Sequence, residues 1–310
     1  MSRPDDSYLD PQQLANVERH AFRLLQEASA LHVFPTPIDE IMAAAKLTVV
    51  DDQFLNESML AHLMRKAKAT FATIKSALSK VVGLFDSPDR LVFIDSGLHA
   101  AKVPFVKLHE AGHGHLPHQN KVYALIHDCE KTLDPDVTDL FEREANAFAS
   151  EVLFQGPLFA EEAHQSEFGM KVPMSLAKKY GASNYSTFRR YVTTSPHSCC
   201  VLVLNPPVCG DGNAFTAEVR RRIVSKSFHV TFDILAFGET IHQLHLLGHL
   251  VPVGRRMTKR REITLVDRNG DQRICSAEAF SSTYQVFLLI RDEGLRSKSG
   301  IVLLSPRKVL

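Results

Sequence analysis

The sequence predicts an α+β fold, with a helical first two-thirds and a β-rich last third. Apolar residues recur at helical period through residues 11–31, 56–78 and 137–154. Two β-prone runs near residues 80–94 are split by turn-forming residues and read as a hairpin inside the helical part. After Pro196 the texture changes to apolar β-prone runs interrupted by basic clusters. At 310 residues the chain exceeds one ordinary domain, and a boundary is placed near 195–197.

Taken in order, Leu14, Val17, Phe22, Leu24 and Leu25 mark one face of the first helix, which Phe34-Pro35-Thr36-Pro37 ends. Ile38–Lys46 follows as a short helix, and Leu47–Val50 as a strand. Lys80–Phe85 and Leu91–Ile94 pair across Asp86-Ser87-Pro88-Asp89. Residues 103–116 and 137–154 are helices, the second stopped at Gly156-Pro157. Residues 172–193 form two short helices around Tyr180-Gly181-Ala182-Ser183. Val201–Leu204, Ile223–Val230, Ile263–Val266, Ile274 and Val286–Ile290 are read as strands.

Composition narrows the function. The net charge is only +1, which argues against a nucleic-acid coat protein, yet residues 196–310 hold 16 Lys and Arg against 10 Asp and Glu. No apolar run is long enough to span a membrane, and the polar start of the chain lacks the core of a secretory signal. Five irregularly placed cysteines form no C-x-x-C pair, so neither a zinc ribbon nor a disulfide framework is indicated. A reduced, cytoplasmic protein is expected.

The chemistry is concentrated in His109-Glu110-Ala111-Gly112-His113, an H-E-x-x-H motif. Positions i and i+4 share a helix face, so both imidazoles reach one divalent ion. Glu110 lies beside them, where it can take a proton from water activated by that ion and return it to a leaving amine. Gly112 allows another backbone or a substrate to approach closely. A catalytic site of this kind needs a third protein ligand. The helix from Asp139 to Ala149 offers Glu144 beside its apolar face, whereas Glu142 and Glu151 read as solvent-side. The residues alone leave Glu144 open between ligand and solvated charge. His115 and His118 do not repeat the i+4 face and read as helix-end residues.

Here a family resemblance becomes specific. K-L-H-E-A-G-H-G-H, followed some thirty residues later by F-E-R-E-A-N-A-F-A-S-E, resembles the ImmA/IrrE family of metallo-endopeptidases. P-T-P-I-D-E-I-M-A-A-A-K-L-T-V-V-D and the hairpin V-V-G-L-F-D-S-P-D-R-L-V-F-I-D are similar to the same family, so the resemblance spans residues 12–193. It implies a zincin-like core in which His109, His113 and Glu144 hold Zn²⁺ and Glu110 is the general base. Mn²⁺ suits such a donor set as well. It also implies a protein substrate, a transcriptional repressor cut in a stress or mobile-element response. The competing class is a DNA-binding or sensory regulator with a structural or vestigial metal site.

The expected organisation is a zincin-like domain over 1–157, a helix-turn-helix-like extension over 158–196 and a β-rich, GAF-like domain over 197–310. The last assignment follows relatives that carry a GAF-like sensor there. In the extension, Lys178, Lys179, Arg189 and Arg190 are the candidate DNA contacts, although fold support is the favoured role. Ser150 to Pro157 nearly spells the site of a picornaviral protease used to remove tags; it reads as native because it continues the apolar face of its helix. Asp267, Asn269, Asp271 and Glu278 fall at calcium-loop offsets, but Asn269-Gly270 between β-prone flanks favours a hairpin.

Overall fold

In the computed structural model, residues 9–51, 83–86, 90–94, 97–120, 135–211 and 214–295 are described. The helix expected over 56–78 lies outside them. The chain divides into two units, one of residues 1–166 and 172–187, the other of residues 167–171 and 188–310.

The first unit opens with α1 (Pro11–Glu27). Asp10 caps it by accepting from the backbone N–H groups of Gln12 and Gln13, while the Gln13 side chain accepts from Asp10 N–H. Val17, Ala21, Leu24 and Leu25 are its buried stripe. The short α2 (Ile38–Ala44) precedes β1 (Thr48–Asp51). β1 runs parallel to β3 (Leu91–Ile94), which pairs antiparallel with β2 (Gly83–Asp86), giving the order β1-β3-β2. The hairpin expected from the turn residues is therefore present, with Asp86 opposite Leu91.

Helix α3 (Val103–His115) lies against β2 and β3 on one side and against α4 (Pro135–Leu153) on another. Pro104 stands in its first turn, where the missing N–H costs nothing. Gly112 permits the approach of the two helices. A β-carbon there would stand 3.1 Å from Ala145 Cα and 3.4 Å from Phe148 Cβ. Of the two expected uses of Gly112, the structure shows backbone approach. α1 packs on α4 from another side. Phe141, Ala145, Phe148, Ala149 and Val152 of α4 are buried. The chain does not simply stop at Gly156: Gln155 and Gly156 take positive φ, and α5 (Pro157–His164) starts afresh with a proline in its first turn. Then come α6 (Lys171–Tyr180) and α7 (Asn184–Thr193), joined through Gly181 at φ +68° and Ser183, whose hydroxyl accepts from Ser186 N–H. Helix α7 passes from one unit into the other.

The second unit is built on an antiparallel sheet. Its strands are β4 (Cys199–Leu204), β5 (Val208–Cys209), β6 (Phe215–Val224), β7 (Thr240–His242), β8 (Met257–Val266), β9 (Gln272–Ser281) and β10 (Val286–Leu295). The order is β5-β6-β4-β10-β9-β8, with β7 also on β6. β4 is buried along its whole length because both of its faces are covered. Cys200, Leu202 and Leu204 join Val286, Leu288 and Ile290 in one core. On the opposite face Phe287 stacks on Phe188 of α7, ring centroids 4.6 Å apart.

One strand assignment is corrected. Residues 223–230 were expected to be extended, but β6 ends at Val224 and α8 (Lys226–Thr231) begins. Ser225 decides it: its hydroxyl accepts from Phe228 N–H as a helix cap, and Phe228 turns inward to stack on Phe232. The Asn269-Gly270 hairpin is confirmed, with Gly270 at φ +86°. Asp267 accepts from the N–H groups of Asn269 and Asp271, so this carboxylate organises the turn.

Candidate metal centre

Helical spacing brings the two motif histidines together. His109 and His113 meet edge to face, and their Nε2 atoms are 3.3 Å apart. The third side chain comes from α4, and it is Glu142. Its carboxylate oxygens lie 3.4 Å from His109 Nε2 and 3.5 Å from His113 Nε2. Among the described residues these three form the one group with metal-ligand geometry, their donor atoms all within 4.8 Å of one another. Two imidazole nitrogens and a carboxylate oxygen are a donor set for Zn²⁺ or Mn²⁺, so the residues fit the ion that the motif implies.

Glu144, the expected third ligand, has other partners. Its Oε2 accepts from His118 Nε2 at 2.6 Å and from Gln119 Nε2 at 2.7 Å. The physical reason is angular. Two residues along a helix turn a side chain by about 200°, so Glu142 and Glu144 cannot address the same point. Glu144 is the more buried of the two, 4% exposed, and it needs the donors that His118 and Gln119 supply. Glu142, whose side chain is 38% exposed, borders the solvent that a catalytic site must admit.

The charges agree with the geometry. Burial works to raise the Glu142 pKa, but the hydrogen bonds and charges of His109 and His113 outweigh it and hold the carboxyl far below the usual carboxylate range. Burial likewise works against a charged His113; Glu142, Glu110 and Gln119 overcome it and raise its pKa. Glu110 is buried, 6% exposed, in the turn between the two histidines.

The other candidates fall elsewhere. His115 packs beside Phe148 and His20, and burial lowers its pKa. His118, placed by sequence at a helix end, reaches Glu144. In the extension, Lys178 is exposed. Lys179 is engaged by Glu162 at 2.6 Å and sits over the Phe34 ring. Arg189 and Arg190 are partly buried on α7. Glu142 and Gln119 were not singled out from the sequence. Nothing local marks either: Glu142 meets the imidazoles only because α4 packs against α3, and the Phe141 and Glu144 partners of Gln119 lie 22 and 25 residues away.

Residues 65–188 match the family model of the IrrE N-terminal-like domain, a peptidase family. Over that stretch the chain is similar to the ImmA/IrrE family. That match takes in α3, α4 and the whole candidate metal centre. The fold is similar to that of a solved structure titled "Mycobacterium tuberculosis transcriptional regulator", with a TM-score of 0.52 at 12% identity, over 96% of this chain and 95% of that one. No curated protein matches. Among the described residues, no helix is long and apolar enough to cross a membrane.

Proposed function

We propose that the chain is a metal-dependent endopeptidase that makes a limited cut in a regulatory protein, a transcriptional repressor being the substrate class the family resemblance suggests. The supporting observation is the convergence of His109, His113 and Glu142 on one point, with Glu110 in the turn between the histidines. A divalent ion held there supplies Lewis acidity toward water and a peptide carbonyl. Glu110 then has the role of general base: its carboxylate takes a proton from the attacking water and passes it to the departing amine. The partly exposed edge of Glu142 leaves a side open to a substrate backbone.

Lys178, Lys179, Arg189 and Arg190 are assigned a supporting rather than a DNA-reading role. Lys179 already has a carboxylate and an aromatic partner, which weakens it as a phosphate contact. The GAF-like assignment of 197–310 is supported by an antiparallel sheet whose strands β4 and β10 lie side by side at its centre.

The test uses a proteome-derived peptide library and zinc-loaded protein, with new termini read by mass spectrometry. Wild type is expected to generate a narrow set of cuts, and Glu110→Gln none while retaining its metal. Cuts by Glu110→Gln at the wild-type rate would sink the assigned role. No cuts by either protein, with salt-dependent DNA binding that survives chelation, would favour a regulator whose metal site is structural.

A further inference from the structure

Behind the metal centre lies a chain of hydrogen bonds that the proposed chemistry does not use. Gln119 is fully buried. Its amide nitrogen donates to the backbone carbonyl of Phe141 at 3.2 Å and to Glu144 Oε2 at 2.7 Å. Its amide oxygen stands 2.7 Å from His113 Nδ1. A backbone carbonyl can only accept, and an ionised carboxylate can only accept. The –NH₂ of Gln119 must therefore face Phe141 and Glu144, and its oxygen must face His113. An amide oxygen has no proton to give, so Nδ1 of His113 is the donor.

The consequence lies at the other ring nitrogen. A neutral imidazole with its proton on Nδ1 has its lone pair on Nε2, the atom beside His109 Nε2 and Glu142. We propose that Gln119 is a positioning residue that sets the tautomer and ring orientation of His113, and that Glu144 acts through Gln119 by locking its amide. On this account the carboxylate that the family resemblance points to as a ligand serves the site from behind, at one residue's remove. The Phe141 carbonyl and Glu144 both belong to α4, the helix that carries Glu142. The network thus ties the orientation of a ligand on α3 to the helix that supplies the third donor. This inference rests on the proposed His109, His113 and Glu142 site.

The test is on the full chain, labelled with ¹⁵N-histidine. The tautomer of His113 is read by long-range ¹H–¹⁵N correlation in metal-free protein, at a pH where the ring is neutral, with His113→Gln to assign the signal. Wild type is expected to be in the Nδ1–H form. Gln119→Met keeps the volume and removes both hydrogen-bonding groups; it is expected to shift His113 toward the Nε2–H form and to weaken Zn²⁺ binding by about 10–100-fold. Gln119→Asn, which keeps the polarity and shortens the reach, serves as the second variant and is expected to lose affinity similarly. A wild-type Nε2–H form, or wild-type Zn²⁺ affinity in both variants, would overturn the proposal. The two failures are separable. Zinc uptake by Glu142→Ala equal to that of wild type would overturn the metal-site reading, whereas the metal-free tautomer reports on Gln119 alone.

Discussion

Glu142 and Glu144 stand two residues apart on one helix and serve opposite ends of one imidazole: Glu142 meets His113 at Nε2, while Glu144 reaches its Nδ1 side through Gln119. The first is placed to be a metal donor, and on the proposal above the second braces the ring.

The two glutamates therefore separate in a metal-binding titration. Glu142→Ala is expected to bring bound zinc close to none, because a donor is gone. Glu144→Ala is expected to retain one zinc per chain at saturating metal, with about 10–100-fold weaker affinity. Elemental analysis after gel filtration, followed by competition with a chromophoric chelator, measures both. Retained stoichiometric zinc in Glu142→Ala with none in Glu144→Ala would reverse the assignment.

Gly112 links packing to chemistry. An alanine there would press on the Ala145 backbone at 3.1 Å, and α4 would have to move away from α3. Because Glu142 rides on α4 and the histidines on α3, the shift also opens the donor triangle. Gly112→Ala is expected to cost about 1–3 kcal/mol of stability and to weaken zinc binding. Chemical denaturation of the metal-free protein gives the first quantity. Wild-type values for both would show that the helices have slack.

The segment resembling a tag-removal site is expected to resist that protease in the folded chain. Leu153, Phe154 and Gln155 are each 1% exposed or less. Gln155 also accepts from His32 N–H and donates to the Val33 carbonyl and the Thr36 hydroxyl. A protease that must hold these residues in extended form would first have to unfold the turn. Intact chain after overnight digestion, with cleavage appearing only in denaturant, is the expected gel. Rapid cleavage of native protein would contradict the burial.

Buried thiols set an alkaline limit. Burial pushes Cys199 up to about 11, against the pull of its hydrogen bonds to Ser195 and Ser225. Burial and then the Asp292 charge push Cys275 up to about 12. The folded chain thus holds these protons to higher pH than the unfolded chain does. Stability is full below the unfolded thiol value and falls as pH rises from about 8.5 toward the folded values, by up to about 1.4 kcal/mol per pH unit per thiol. Denaturant melts between pH 8 and 10.5 test this; a flat profile would count against it. At pH 8 the exposed Cys209 should alkylate well before Cys199, Cys200 and Cys275.

What the sequence made legible followed from local rules. The histidine pair was readable because i and i+4 share a face whatever surrounds them. The β2–β3 and Asn269-Gly270 hairpins were readable because their turns carry their own chemistry. The choice between Glu142 and Glu144 was not, because nearness to the apolar face of α4 favoured Glu144, whereas the imidazoles of α3 meet the more exposed side that carries Glu142. Gln119 was invisible because its partners Phe141 and Glu144 stand 22 and 25 residues away. The strand assigned to 223–230 failed because Ile223, Val224 and Val230 outweighed one capping serine, Ser225.

The central place of β10 in the sheet has a consequence for biosynthesis. On the ribosome, β4–β6 and β8–β9 emerge as separate hairpin ladders with nothing between them, each ending on an open edge. Only when residues 286–295 leave the exit tunnel can β10 slot between β4 and β9 and close the sheet. A nascent chain stalled before Val286, or a premature stop there, would leave both edges bare and prone to pair with neighbours on the same polysome.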